Sequence, residues 1–218
     1  MGKSPYGENL DLVQTQVTGF LKPLGFRKRA RTYNRLVDDG LIHVVNLQAG
    51  PYEFGDEIPG LRPNLWGLFT VNLSVYVPEL DPAPAKVPRK HVPEYVCPIR
   101  TRFARLLDLD ADPWWPLDET WPNSSADVLR CLEEVGLPFF DRYRSQGDVL
   151  ARWIEDAKRL RLSNVARVDV ARLLATRGQQ REAGELLQAQ YDESGHLKGH
   201  QEYLGRLADE LGIGIKTG

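Results

Sequence analysis

Apolar residues recur at helical spacing through Leu10, Val13, Val17, Phe20, Leu21 and Leu24, which predicts an amphipathic helix over residues 8–22, stopped by Pro23 and Gly25. The period then changes from 3.6 to two. Phe26 to Val37 reads as a strand with Arg27, Arg29, Arg31, Tyr33 and Arg35 on one face. A turn at Asp38-Asp39-Gly40 leads into a second strand, Leu41 to Gln48, and an Asp-Gly turn between two such runs is a hairpin signal. A loop over Ala49 to Asn64, with acids Glu53, Asp56 and Glu57, precedes a third strand from Leu65 to Val77. Within it Phe69, Val71, Leu73, Val75 and Val77 alternate with Thr70, Asn72, Ser74 and Tyr76, giving one apolar face and one polar face.

Prolines make Pro78 to Pro98 extended and without regular structure, and Ile99 to Leu107 reads as a fourth strand. Ser124 or Ser125 is placed to cap a helix through Val128, Leu129, Leu132 and Val135, which Gly136 and Pro138 would end. A further apolar stripe starts at Phe139, Phe140 and Tyr143 and resumes at Val149, Leu150, Trp153, Ile154, Ala157 and Leu160. Helices are expected near 164–176, 179–192 and 196–211. Ala171, Leu174, Gly178, Ala183, Leu186 and Leu187 have the spacing of one tetratricopeptide-like helix pair. A stack needs about three such units, so a helical extension is the simpler expectation. The pattern as a whole predicts an α+β fold: a small antiparallel sheet of three to four strands, packed on one face by helices, followed by a C-terminal helical segment. The expected division is residues 1–160 and 161–218.

A chain of 218 residues with 42% hydrophobic and 27% charged residues has the makeup of a soluble globular protein. The net charge of −2 weighs against a dedicated nucleic-acid or membrane-surface protein. Positive charge is nonetheless concentrated at the start, where Lys3, Lys22, Arg27, Lys28, Arg29, Arg31 and Arg35 outnumber Glu8 and Asp11. Cys97 and Cys131 form no paired spacing, no apolar signal core opens the chain, and no apolar run is long enough to span a bilayer. The expected compartment is the cytoplasm.

Three groups of side chains carry candidate chemistry. Arg27, Arg29, Arg31 and Arg35 around Tyr33 suit carboxylate or phosphate, because guanidinium forks match those anions, and single-stranded nucleic acid is a further reading. The competing reading is a charged edge strand that resists sheet aggregation. Asn46, Gln48, Asn72 and Tyr76, with Arg100 and Arg102 on the fourth strand, could orient a polar ligand on the uncovered sheet face; ordinary cross-strand pairing is the alternative. Trp114 and Trp115, between prolines, either plug the edge of the core or form a partner-binding hot spot.

His196 and His200 stand four residues apart, but a metal site needs a further ligand, so no metal or other cofactor is expected. His43 reads as a partly buried sheet histidine. No nucleophile elbow, P-loop or dinucleotide fingerprint occurs.

The segments "LKPLGFRKRARTYNR", "LIHVVNLQAG", "LFTVNLSVYVP", "PWWPLDE" and "GLPFFDRY", in that order, resemble the domain of unknown function 4304 family over Leu10 to Trp153. The resemblance implies an α+β bacterial domain with no established activity and no catalytic residue to carry over. It also links the chain to a family some of whose members are suspected immunity proteins of polymorphic toxins. The expectation is a non-enzymatic binding module with an unidentified protein partner, one form of which is an immunity-type inhibitor. Anion binding or catalysis on the polar sheet face is the second reading, and nucleic-acid binding through the basic N-terminal third is the third.

Overall fold

Two long strands, β3 (Ile42–Ala49) and β4 (Leu68–Tyr76), form the centre of the architecture. They pair antiparallel from Ile42↔Tyr76 to Ala49↔Phe69. The computed structural model describes residues 4–51, 64–81, 89–158 and 164–216. Among these, β1 (Arg27–Arg29), β2 (Thr32–Leu36) and β5 (Ile99–Arg102) complete an antiparallel sheet in the order β1-β2-β3-β4-β5, and β6 (Trp115–Pro116) pairs with the start of β4. The helices are α1 (Pro5–Leu21), α2 (Phe103–Leu107), α3 (Trp121–Cys131), α4 (Leu137–Asp141), α5 (Gln146–Lys158), α6 (Asn164–Thr176), α7 (Gln180–Glu193) and α8 (Lys198–Glu210). The fold is α+β, with a helical C-terminal segment as the sequence pattern implies.

Where the β3–β4 ladder begins, Gly50 is obligatory. A Cβ there would fall 1.8 Å from the Leu65 carbonyl oxygen, while the Gly50 N–H donates to Leu68 across 2.8 Å. Only a residue without a side chain lets the two chains meet this closely.

The arginine-bearing stretch is the first correction to the sequence reading. It is not one strand but a hairpin, because Ala30 takes φ 52° and the chain reverses at Ala30–Arg31. The pairings Arg27↔Asn34, Lys28↔Tyr33 and Arg29↔Thr32 then separate residues expected on one face. Arg27 and Arg29 share a face with Thr32 and Asn34; Tyr33 and Arg35 lie on the other, with Lys28, His43, Val45, Leu73 and Val75. This second face meets the helices. Tyr33 is fully buried, and its hydroxyl donates to the Gln14 carbonyl of α1 at 3.0 Å. Extra strands therefore come from splitting one expected strand and from the short β6 pair.

Other boundaries move for identifiable reasons. The expected fourth strand stops at Arg102, and Phe103 begins α2. The helix expected to start at Ser124 or Ser125 begins at Trp121 instead, so both serines are buried inside it, and Ser124 Oγ donates to the Pro116 carbonyl at 2.8 Å. Gly136 does not end that helix. A π-helical turn over Leu132–Gly136 carries the chain into α4, and a Cβ on Gly136 would lie 3.5 Å from Leu73 Cδ1. Gly136 packs against Leu73 at ordinary contact distance, and Pro138, lacking an N–H, is tolerated beside a widened turn.

His43 sits under α4. Its ring stacks on Phe140 with centroids 4.8 Å apart and is only 1% exposed. Arg35 donates to Nδ1 at 3.0 Å, so the ring proton resides on Nε2, which donates to the Tyr143 carbonyl at 2.6 Å. Burial is the main reason its pKa falls from 6.5 to about 4; the neighbouring Arg35 adds to the fall, and the Tyr143 carbonyl opposes it.

The polar face is not left open along its whole length. Ile42, Val44 and Tyr76 form a second apolar cluster with Val92 and Cys97, which lie over them. Asn34, itself buried, fixes this cover with both ends of its amide: Nδ2 donates to the Val92 carbonyl at 3.2 Å and Oδ1 accepts from the Val92 N–H at 2.5 Å. The Pro-rich stretch thus contains an ordered part, with short 3-10 turns at Pro78–Leu80 and Glu94–Val96.

The chain divides into two compact units, Met1–Tyr76 with Ala85–Arg144, and Val77–Pro84 with Ser145–Gly218. In the second, α6, α7 and α8 bury Leu173, Leu174, Ala183, Leu187, Leu204 and Leu207. Arg167 is buried there against Glu193 at 2.6 Å and Gln190 at 3.3 Å. The division expected at residue 160 lies outside the described residues, as do the side chains expected at Trp153, Ile154, Ala157 and Leu160 and the acids Glu53, Asp56 and Glu57.

Two outcomes test this arrangement. Asn34→Ala strands both backbone groups of Val92 and should cost about 2 kcal/mol in urea unfolding; an unchanged midpoint contradicts the pinning role. The unfolded chain protonates His43 near pH 6.5, while the native ring stays neutral to about 4. His43 should therefore contribute stability that is complete above pH 6.5 and lost as pH falls to 4, about 3 kcal/mol in all. Unfolding curves across that window should show the loss shrinking in His43→Gln; equal slopes in both proteins contradict it.

Candidate functional site

With one end of the polar face covered, the other end carries a continuous row of polar side chains. Register places Arg29, Thr32, Asn46, Asn72 and Arg102 side by side across β1 to β5. Neighbouring strands lie about 4.8 Å apart, so adjacent members of the row are within hydrogen-bonding reach. Asn46 Nδ2 donates to Thr32 Oγ1 at 3.0 Å. Asn72 Nδ2 donates to Asn46 Oδ1 at 3.3 Å and to Gln48 Oε1 at 3.0 Å. Arg102 closes the row: Nε donates to Asn72 Oδ1 at 2.7 Å, one terminal nitrogen to Asp112 at 2.8 Å and the other to Gln48 at 3.2 Å.

This network decides what the row can do. Asn72 is 4% exposed and has both amide hydrogens and its oxygen engaged, so it is a structural hub and offers nothing to a ligand. The Arg102 charge is already met by the Asp112 carboxylate. Thr70 Oγ1 donates to the Pro113 carbonyl at 2.9 Å, which anchors the acid-bearing segment beside the row. The chemistry here is that of a satisfied polar lattice.

The remaining sequence candidates fall in different places. Arg100 shares the polar face but pairs with Glu94 at 2.6 Å. Tyr33 lies on the opposite face, and Tyr76 is buried in the second apolar cluster, so neither joins the row. Trp115 is 8% exposed against Phe69 and Phe103, the position of a core plug, and Trp114 is half-buried. His196 lies before the start of α8, which carries His200, so the expected four-residue helical spacing is absent. Among the described residues, no cluster of His, Cys, Asp and Glu could hold a metal ion. No helix among them is long and apolar enough to cross a membrane.

The uncommitted charge lies at the sheet edge. All three residues of β1 are exposed, as is Arg31 in the turn, and Arg27, Lys28, Arg29 and Arg31 make no ion pair with a described residue. β1 ends the sheet order, with β2 on one side and no described strand on the other. A cavity of about 410 Å³ opens beside it, between the strand and the C-terminal end of α1. Thr18 comes from α1, Lys22 from the turn that caps it, Lys28 from the strand, and Phe26 and Tyr33 are buried beneath. Tyr33 is kept protonated there, since burial raises its pKa.

Lys22, Lys28 and Asp112 were not apparent as site residues from sequence. Lys28 alternates out of the arginine face, and its neighbours Thr18 and Lys22 belong to a separate periodic element. Only the hairpin at Ala30 brings them together.

The sheet, the helices on one of its faces and the basic edge define an α+β domain. The profile of a domain of unknown function, number 4304, matches residues 17–142, and the chain belongs to that family. No curated protein and no solved structure matches the chain.

Asn72→Ala should leave Arg102, Asn46 and Gln48 each short of a partner and lower stability by about 2 kcal/mol. Thermal unfolding provides the check; a change within error would mean the row is not a connected network.

Proposed function

We propose that this domain is a non-enzymatic protein-binding module that receives an acidic, extended segment of another protein along the outer edge of β1. The carrying observation is an exposed edge strand, Arg27–Arg29, whose positive charge is not neutralised within the described residues. An edge strand offers backbone N–H and C=O groups to an added strand. Its charge selects which strand is admitted. A second copy would bring Arg27, Lys28 and Arg29 against their own kind and be repelled, whereas an acidic segment is attracted.

An inhibitor of a partner toxin is one form such a module would take. We place it in the cytosol, a reading supported by two buried free thiols, Cys97 and Cys131. Anion capture on the polar row has less support, because Arg102 is already paired with Asp112.

The test is fluorescence anisotropy with a labelled peptide of alternating Glu and Val. Binding should weaken as salt rises, and the double variant Arg27→Glu, Arg29→Glu should weaken it about tenfold or more. Absence of binding overturns the reading. So does tighter, steeply salt-dependent binding of a single-stranded oligonucleotide, which would favour nucleic acid.

A further inference from the structure

We infer that the cavity beside β1 is a side-chain specificity pocket, and that the partner segment carries an aromatic residue flanked by acids. This rests on the edge-binding reading above and goes further by naming what the edge selects. Side chains of an added strand alternate between the two faces of the sheet. A partner residue opposite Lys28 shares its face with Lys28 and Tyr33, the face on which α1 packs. It therefore projects into the angle between strand and helix, where the cavity of about 410 Å³ lies.

The chemistry of the walls favours an aromatic ring. Phe26 and Tyr33 are 3% and 1% exposed and provide an apolar floor. The Tyr33 hydroxyl is turned inward to the Gln14 carbonyl and lies 3.2 Å from the Thr18 hydroxyl, so it is not offered to a guest. Lys22 on the helix wall and Lys28 on the strand wall supply ammonium groups that favour the face of an aromatic guest. The same two charges favour acidic neighbours on either side of it. An aliphatic side chain would fill the floor without using the cations, and a lone carboxylate would use the cations without covering the floor.

Two peptides of alternating Glu and Thr decide the matter, one with a central Phe and one with Ala in its place. Isothermal titration should show the Phe peptide binding about tenfold tighter or more, the gain expected from burying one such ring. Thr18→Phe, which fills the cavity from its helix wall, should remove that advantage while leaving the Ala peptide unchanged, with thermal unfolding confirming that the variant is folded. If the two peptides bind wild-type protein equally, and Arg27→Glu with Arg29→Glu weakens both, the pocket is overturned and the edge reading stands. An aromatic preference that persists in folded Thr18→Phe also overturns it, since the ring is then read elsewhere. If neither peptide binds, both readings fall.

Discussion

The register of β3 against β4 is the constraint on which the rest of this domain depends. Eight consecutive pairs, from Ile42↔Tyr76 to Ala49↔Phe69, assign every side chain of the two central strands to one face or the other. A slip of one residue would send Val71, Leu73 and Val75 to the face with Asn34, and Asn72 and Ser74 beneath the helices. Gly50 helps hold this register, since its contact with Leu65 tolerates no side chain. With the apolar set directed to the helices, α1 is tied on through Tyr33 and α4 through His43 and Phe140.

The opposite face follows from the same register but is divided in two. At one end Asn34 holds Val92 so that a second small core forms over Ile42, Val44 and Tyr76. At the other, amides and Arg102 satisfy one another with Asp112. A polar network centred on the buried Asn72, its outer members partly exposed, adds rigidity to this end of the sheet. It also removes these groups from ligand chemistry. What the sheet leaves uncommitted is its β1 edge, and the functional proposal rests there.

Much of this was legible in the chain. The alternation from Phe69 to Val77 gave the central strand, the Asp38-Asp39-Gly40 turn gave the β2–β3 hairpin, and the C-terminal helices lie within a few residues of their expected positions. Asn46 and Asn72, both expected on the polar sheet face, are paired directly. What escaped detection depended on backbone geometry that no periodicity encodes. Ala30 turns the chain with a conformation few alanines adopt, and that reversal moves Tyr33 away from Arg27 and Arg29 and brings Lys28 beside Lys22. The cover over Tyr76 rests on hydrogen bonds between residues 58 positions apart, from Asn34 to Val92, within a segment whose prolines read as shapeless.

On the proposed function a partner binds at the β1 edge rather than on the polar row. Heteronuclear NMR of the labelled protein titrated with an acidic extended peptide tests it most directly. Binding at the edge should give the largest amide shifts at Arg27–Arg29, with intermolecular contacts between the peptide backbone and β1. Shifts centred instead on Gln48, Asn72 and Arg102, with β1 unmoved, would contradict it.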